Sequence, residues 1–207
     1  MLGIASNRPY RGLSRRALIL LAPLLLTLQG CPAAFFAGAA TGVAVIHDRR
    51  SAGTVLDDQS IELEAAQALY NDDAVRDNTS VSATSYDYVV LLTGQANNAE
   101  IQQRAAEVVS RIGKVKRVVN EITVGPSATL SEEAQASYIT SDAKLSLFGV
   151  KVATFDPSRV KVVTEKNTVY LMGLVTREEA QEVVEKVRYV NGVDKVVTVF
   201  DYIQPPK

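Results

Sequence analysis

Val89-Val90-Leu91-Leu92-Thr93-Gly94-Gln95-Ala96-Asn97-Asn98-Ala99-Glu100 decides the fold, because the chain makes the same statement twice. The counterpart is Thr168-Val169-Tyr170-Leu171-Met172-Gly173-Leu174-Val175-Thr176-Arg177-Glu178-Glu179. Gly94 and Gly173 lie 79 residues apart, and the pairs Asn97 and Thr176, Glu100 and Glu179, and Gly113 and Gly192 share that offset. Each copy runs from an apolar stretch through a glycine and a helix cap into a helix. It then reaches a second valine-rich run, 115–124 or 193–200. A one-residue slip after Gly113 aligns Val115, Val118 and Val119 with Val193, Val196 and Val197. Similar units at a long fixed spacing predict two small domains of one kind.

Working outward in the first copy, Asp57, Asp58 or Ser60 caps a helix expected over 61–70, with Ile61, Ala65, Ala68 and Leu69 on one face. A strand is expected over 81–86, a turn at Asp87 and the clearest strand over 88–93. Gly94 is read as the turn into the next helix. Asn97 and Glu100 form a capping-box pattern. Ile101, Ala105, Val108 and Ile112 make the inward stripe of that helix, and Gly113 ends it. The second copy repeats this order. A helix opens at Ser131 and runs to about 148, with Ile139, Ala143 and Leu147 on one face. Strands follow over 159–164 and 168–172, then the Thr176 and Glu179 capping box, a helix ending before Gly192, and a strand over 196–202. The expected fold class is α+β: two α-β-β-α-β units, each a small three-stranded mixed sheet with two helices on one face. The other sheet face is left more exposed, and a unit this small gains by packing against its copy.

The expected boundaries are a signal segment over 1–30, a small-residue tether over 31–54, a first domain over 55–124, a linker over 125–130, a second domain over 131–203 and a tail over 204–207. The signal reading rests on Arg8, Arg11, Arg15 and Arg16 ahead of a 12-residue apolar run at 17–28 that has Pro23 inside it. That run is shorter than the ~20 residues a bilayer span needs. Leu28-Gln29-Gly30-Cys31 follows and resembles a lipobox, making Cys31 the expected lipidation site. Ser14-Arg15-Arg16 is a partial twin-arginine pattern. Small residues over 33–42 suit a tether leaning on a membrane surface, ending by His47-Asp48-Arg49-Arg50.

Composition excludes several function classes. From Cys31 onward, 18 Lys and Arg face 23 Asp and Glu, a poor balance for a nucleic-acid binder. One cysteine and one histidine, Cys31 and His47, allow neither a disulfide within the chain nor a thiolate metal cluster. No catalytic residues, metal or cofactor are expected. Gly94 and Gly173 lack the flanking signature of a phosphate-binding loop.

The strand-glycine segments around Gly94 and Gly173 and the glycine-valine segments near Gly113 and Gly192 resemble BON domains. A lipobox followed by two such units is similar to the dual BON-domain outer-membrane lipoproteins. The resemblance implies a non-enzymatic protein, lipid-anchored in the outer membrane with its domains in the periplasm. It implies anionic phospholipid as partner and a role in outer-membrane integrity, with outer-membrane protein assembly machinery as a possible further partner. It also implies a lipid-facing first helix in the second domain, with Tyr138 at the aromatic position, Lys144 at a basic position, and Leu147 and Phe148 inserting shallowly. Asp142 stands where the family carries a basic residue. The alternative reading is a structural adaptor that binds an envelope protein through a strand edge or helix face.

Overall fold

The computed structural model describes residues 48–153 and 155–204. The expected signal segment, Cys31, the tether up to His47 and the last three tail residues lie outside them.

In the first domain, helix α1 (Ala52–Asn71) and the short α2 (Asp73–Arg76) precede strands β1 (Thr79–Tyr86) and β2 (Val89–Ala96). Helix α3 (Ala99–Ser110) and strands β3 (Arg117–Asn120) and β4 (Thr123–Val124) complete it. The second domain has α4 (Leu130–Ser146), β5 (Val160–Glu165), β6 (Thr168–Val175), α5 (Arg177–Val187) and β7 (Lys195–Tyr202), with 3-10 turns at Leu147–Gly149 and Pro157–Arg159. Each sheet is mixed: β1 runs antiparallel to β2, and β2 parallel to β3 and β4. Likewise β5 runs antiparallel to β6, and β6 parallel to β7. The break between β3 and β4 centres on Asn120, whose side chain donates to Gln102 O and accepts from Ile122 N. That local bonding turns Ile122 into the core at 2% exposure. Thr198 takes the corresponding place in the uninterrupted β7.

Period-two alternation on the central strands sorts two faces. Val90 and Leu92 meet Ile61, Ala65 and Leu69 of α1 and Ala105 and Val109 of α3. Val169 and Leu171 meet Ile139, Ala143 and Leu147 on one side and Ala180, Val183 and Val187 of α5 on the other. The opposite faces are not left exposed: Tyr86, Val89 and Leu91 pack against Tyr170, Met172 and Val199. The two sheets lie back to back between outer pairs of helices. All eight residues of β2 are buried in consequence. Polar contacts lock the same junction. Lys161 pairs with Glu62 at 2.6 Å, Gln95 donates to Glu165 at 2.6 Å, and the Tyr86 hydroxyl donates to Arg159 O at 3.0 Å. Burial pushes the Tyr86 phenol up to about 12, so it stays a neutral donor.

Several local expectations are corrected. Helix α1 starts at Ala52, ahead of the expected domain start at 55, because Ser51 caps it by accepting from Thr54 N at 3.0 Å. Asp58 is no cap. At 3% exposure it accepts from Ser85 Oγ, Asp87 N and Tyr88 N, holding the β1–β2 hairpin turn from beneath. Tyr88 sits in that turn with φ 67°, beside Asp87 at φ 49°, not in the strand. Gly94 is not the turn into α3. It lies within β2 opposite Val81, with φ +118°. The cap of α3 is Asn98, which accepts from Ile101 N at 2.9 Å, while Asn97 donates to Asn78. The Asn97 and Glu100 capping box is therefore not formed, and Glu100 stands exposed in the first turn. The second copy does form its box, Thr176 with Glu179. Asn97 is thus the extra residue between strand and cap, so the one-residue slip between the copies occurs there and not after Gly113. With that offset Lys114, at φ 68°, corresponds to Gly192, at φ +86°. Helix α4 is capped by Thr129 in a box with Glu132, not by Ser131.

These placements set an expected contrast. A Cβ at Gly113 meets nothing within 4 Å, so Gly113→Ala should change stability by less than about 0.5 kcal/mol. A Cβ at Gly192 would lie 2.8 Å from Gln135 Nε2 and 3.1 Å from Ile139 Cδ1, on a left-handed backbone. Gly192→Ala should cost roughly 1–3 kcal/mol. Urea unfolding of both variants checks the contrast, and equal effects would refute the offset.

Candidate membrane-facing site

Helix α4 has two different faces. Ala136, Ile139 and Ala143 are buried, and Leu147 in the following 3-10 turn continues that face at 1% exposure. Tyr138, Leu145 and Phe148 stand out at 55%, 66% and 76% exposure. Tyr138 and Leu145 are seven residues apart, two helical turns on one side. Lys144 is exposed on the flank and lines a cleft of about 270 Å³ with Arg50, Glu62 and Lys161. The expectation that Leu147 inserts into lipid is corrected: it fills the core against α5 and the sheet. Leu145 takes its place on the exposed side. Sequence reading passed over two further cations. Lys151 is exposed just after the turn, and the Lys186 side chain lies within 3.9 Å of the position a Gly149 Cβ would occupy. A short apolar ridge with lysines at its margins can seat at a headgroup boundary, where phosphates meet cations and the phenol keeps a polar tip. Asp142 is half-buried beside the ridge.

Gly94, Gly173, Gly192, Thr176 and Glu179 have mechanical roles away from this ridge, whereas Gly113 and Glu100 have none. Gly173 sits in β6 opposite Val160, where a Cβ would lie 2.6 Å from Arg159 O. Thr176 and Glu179 open α5. Glu179 is wholly buried, and its carboxylate takes two bonds from Arg49 at 2.7 and 2.8 Å. Arg49 also donates to Leu174 O at 2.7 Å. Arg50 bonds Asp48 and Asp58 and stacks 3.8 Å over the Tyr86 ring. The strap 48–51, expected as the end of a loose tether, therefore grips the second domain through Arg49 and the first through Arg50. Periodicity carries no signal for this, since the strap belongs to no helix or strand. Burial alone would raise the Glu179 carboxyl. The Arg49 bonds, the Thr176 amide and the charges of Arg49 and Arg159 outweigh it and hold the group below its ordinary 4.5.

Among the described residues, no group of three or more His, Cys, Asp or Glu could hold a metal ion, and no helix is long and apolar enough to cross a membrane. The family model described as the BON domain matches residues 57–126 and 149–204. The chain belongs to the BON-domain family. Over 91% of its length it is 32% identical to the outer membrane lipoprotein DolP of Haemophilus influenzae, of which it covers 96%. It is 31% identical to a 21 kDa hemolysin of Actinobacillus pleuropneumoniae, over 76% of this chain and 80% of that protein. A solved structure of CdsD, a structural protein of the type III secretion system of Chlamydia trachomatis, aligns with 70% of this chain and 63% of its own, at 13% identity and a TM-score of 0.28. The chain is thus a DolP-like BON-domain outer-membrane lipoprotein, lipid-anchored with its folded domains in the periplasm. Its role in the envelope is structural and protective, not enzymatic. Helix α4 precedes the second BON match, so its exposed ridge is a feature of this chain outside the matched segments.

Proposed function

We propose that this BON-domain lipoprotein reads anionic phospholipid through Tyr138, Lys144, Leu145 and Phe148, and supports outer-membrane integrity by doing so. The observation that carries the reading is the exposure of three large apolar side chains along α4 and its turn, beside Lys144, on a helix whose other face is fully used by the core. A monomer gains nothing by presenting such a ridge to water. Acylation at Cys31 would hold the chain at the membrane. A weak patch then acts at high effective concentration, and a modest affinity suffices. The lysine margin favours anionic over neutral headgroups and makes the contact salt-sensitive.

The test is liposome flotation of the chain lacking its anchor, against Tyr138→Ser/Phe148→Ser. Wild type should float with anionic vesicles at low salt, less at moderate salt and little with neutral vesicles. The double variant should lose at least about tenfold in binding, the loss of roughly 1.4 kcal/mol of buried apolar contact, with unchanged thermal unfolding. Leu147→Ser serves as the contrast, since it should lower stability first. Flotation unchanged in the double variant would reject the ridge as the lipid reader. A second reading, an adaptor for an outer-membrane assembly protein, is favoured by one observation: β7 is an edge strand of eight residues, beside a groove of about 430 Å³ lined by Val184, Thr198 and Tyr202. Wild type that floats with no vesicle would shift the assignment to that edge.

A further inference from the structure

Helices α4 and α5 end side by side, and unpaired lysines gather where they end. Lys144 lies in the last turn of α4 and Lys186 in the last turn of α5. The Cε and Cδ carbons of Lys186 lie 3.8 and 3.9 Å from the position of a Gly149 Cβ. Its ammonium, one bond beyond Cε, stands at the edge of the turn that holds Phe148 out at 76% exposure. Lys151 follows Gly149 by two residues and is exposed. Among the described residues Lys144, Lys151 and Lys186 form no ion pair, whereas Lys114, Lys116, Lys161 and Lys166 each reach a carboxylate within 3.6 Å. Glu182, one turn before Lys186 on α5, does not pair with it, and neither does the half-buried Asp142. Helix C-termini favour cations, which accounts for one lysine in each last turn. It does not account for Lys151, nor for a shortage of carboxylates here in a chain with more acids than bases. Like charges gathered at one turn repel, and an anion among them relieves the repulsion.

We propose that Lys186 and Lys151 bind the phosphates of the anionic lipids that Phe148 enters, so that selection for charge comes from α5 and the loop after α4 as well as from α4. The inference rests on the reading of α4 as a lipid-facing ridge and deepens it by separating two tasks. Phe148 supplies depth and is indifferent to headgroup charge. The lysines supply the preference, each as a point charge for a phosphate oxygen. Lys186 is half-buried, with its stem laid on Gly149. It therefore gives up less rotamer freedom on meeting a phosphate than the exposed Lys151, and contributes more. Separate ammoniums around one inserted ring meet phosphates of several lipids, so docking rises steeply with the density of anionic lipid.

The test uses the full lipidated chain reconstituted in vesicles. The chain has one native cysteine, at 31. Once that is acylated, Ser141→Cys on the exposed side of α4 takes an environment-sensitive dye alone. The dye's blue shift reports docking of the ridge as phosphatidylglycerol is raised in a phosphatidylcholine background. Lys186→Gln and Lys151→Gln should each lower docking about fivefold at intermediate phosphatidylglycerol, Lys186→Gln the more, and the pair together by more than tenfold. Their salt dependence should flatten. Lys186→Arg should retain docking. Arg111→Gln, the same loss of charge at the exposed end of α3, should leave it unchanged. A role confined to the helix dipole would instead move thermal unfolding and spare docking. Docking untouched in the double lysine variant, while Phe148→Ser abolishes it, would overturn the phosphate role and leave the ridge reading standing. A loss as large in Arg111→Gln would reduce the effect to net charge and also overturn it. No blue shift with any vesicle in the unsubstituted chain would overturn the ridge reading and the phosphate role together.

Discussion

Gly94→Ala should cost the first domain roughly 3–5 kcal/mol, the range reserved for named structural failures. Gly94 lies within β2 at φ +118°, and a Cβ there would stand 2.0 Å from Ser80 O and 3.0 Å from Val81 Cα. Both are backbone atoms of the paired strand, so no rotamer change can relieve the clash. Strand β1 must separate from β2, and β2 is the strand whose two faces supply both the helix-side core and the sheet-to-sheet core. Against a typical total of about 5–15 kcal/mol, the loss is enough to populate the unfolded domain near physiological temperature. Urea unfolding followed by tyrosine fluorescence and circular dichroism measures it. A loss below about 1 kcal/mol would mean that β1 can slide along β2, contrary to the register seen. Gly173→Ala should behave similarly with a smaller loss. Its contact is 2.6 Å, to Arg159 O, and no positive φ is involved. That oxygen also accepts from Tyr86, so the disturbance reaches the junction between the domains.

Arg49→Ala should destabilise the folded pair by about 2–4 kcal/mol, because it strands the wholly buried Glu179 carboxylate. Arg159 at 3.9 Å and the Thr176 amide keep part of the compensation. Adding Glu179→Gln to Arg49→Ala should recover part of the loss, since a neutral amide costs far less to leave buried than a charge. Acid titration gives an independent readout. The folded carboxyl titrates below its ordinary 4.5, so its contribution is complete above that value and is lost as the pH falls through the lower folded value. In Arg49→Ala this acid-side decline should shrink. Thermal scans of wild type and variant at a series of pH values from neutral to acid test both statements. An Arg49→Ala variant as stable as wild type would return the strap to the status of a loose tether.

Much of the fold was written in local sequence. Apolar runs with β-branched residues placed β2 and β6. The heptad-like face of Ile139, Ala143 and Leu147 placed the buried side of α4. The repeat with its near-79-residue spacing implied two units of one kind. Local reading failed where a residue's role depends on something distant in sequence. Gly94 looks like a turn glycine next to a helix, but Ser80 and Val81 across the ladder are what forbid a side chain there. Asn97 and Asn98 are both good caps in isolation, and strand β2 continuing through Ala96 leaves Asn98 to take the position. Leu147 and Phe148 are adjacent and equally apolar. The end of α4 at Ser146 and the packing of α5 send the first inward at 1% exposure and leave the second outward at 76%.

The sequence by itself determined the element order, the pairing of two like units, the residue types available for chemistry and the absence of a strongly basic domain. Those properties follow from composition and short-range periodicity, which any chain carries along its length. Only the tertiary structure decided that the sheets bury their second faces on each other. It alone showed that Arg49 and Arg50 bind carboxylates in different domains, and that α1 leaves Leu56, Leu63 and Tyr70 exposed to solvent. Each of these depends on which surfaces meet after folding. Contact between residues more than a hundred positions apart, such as Arg49 and Glu179, is set by packing and burial and not by neighbouring residues.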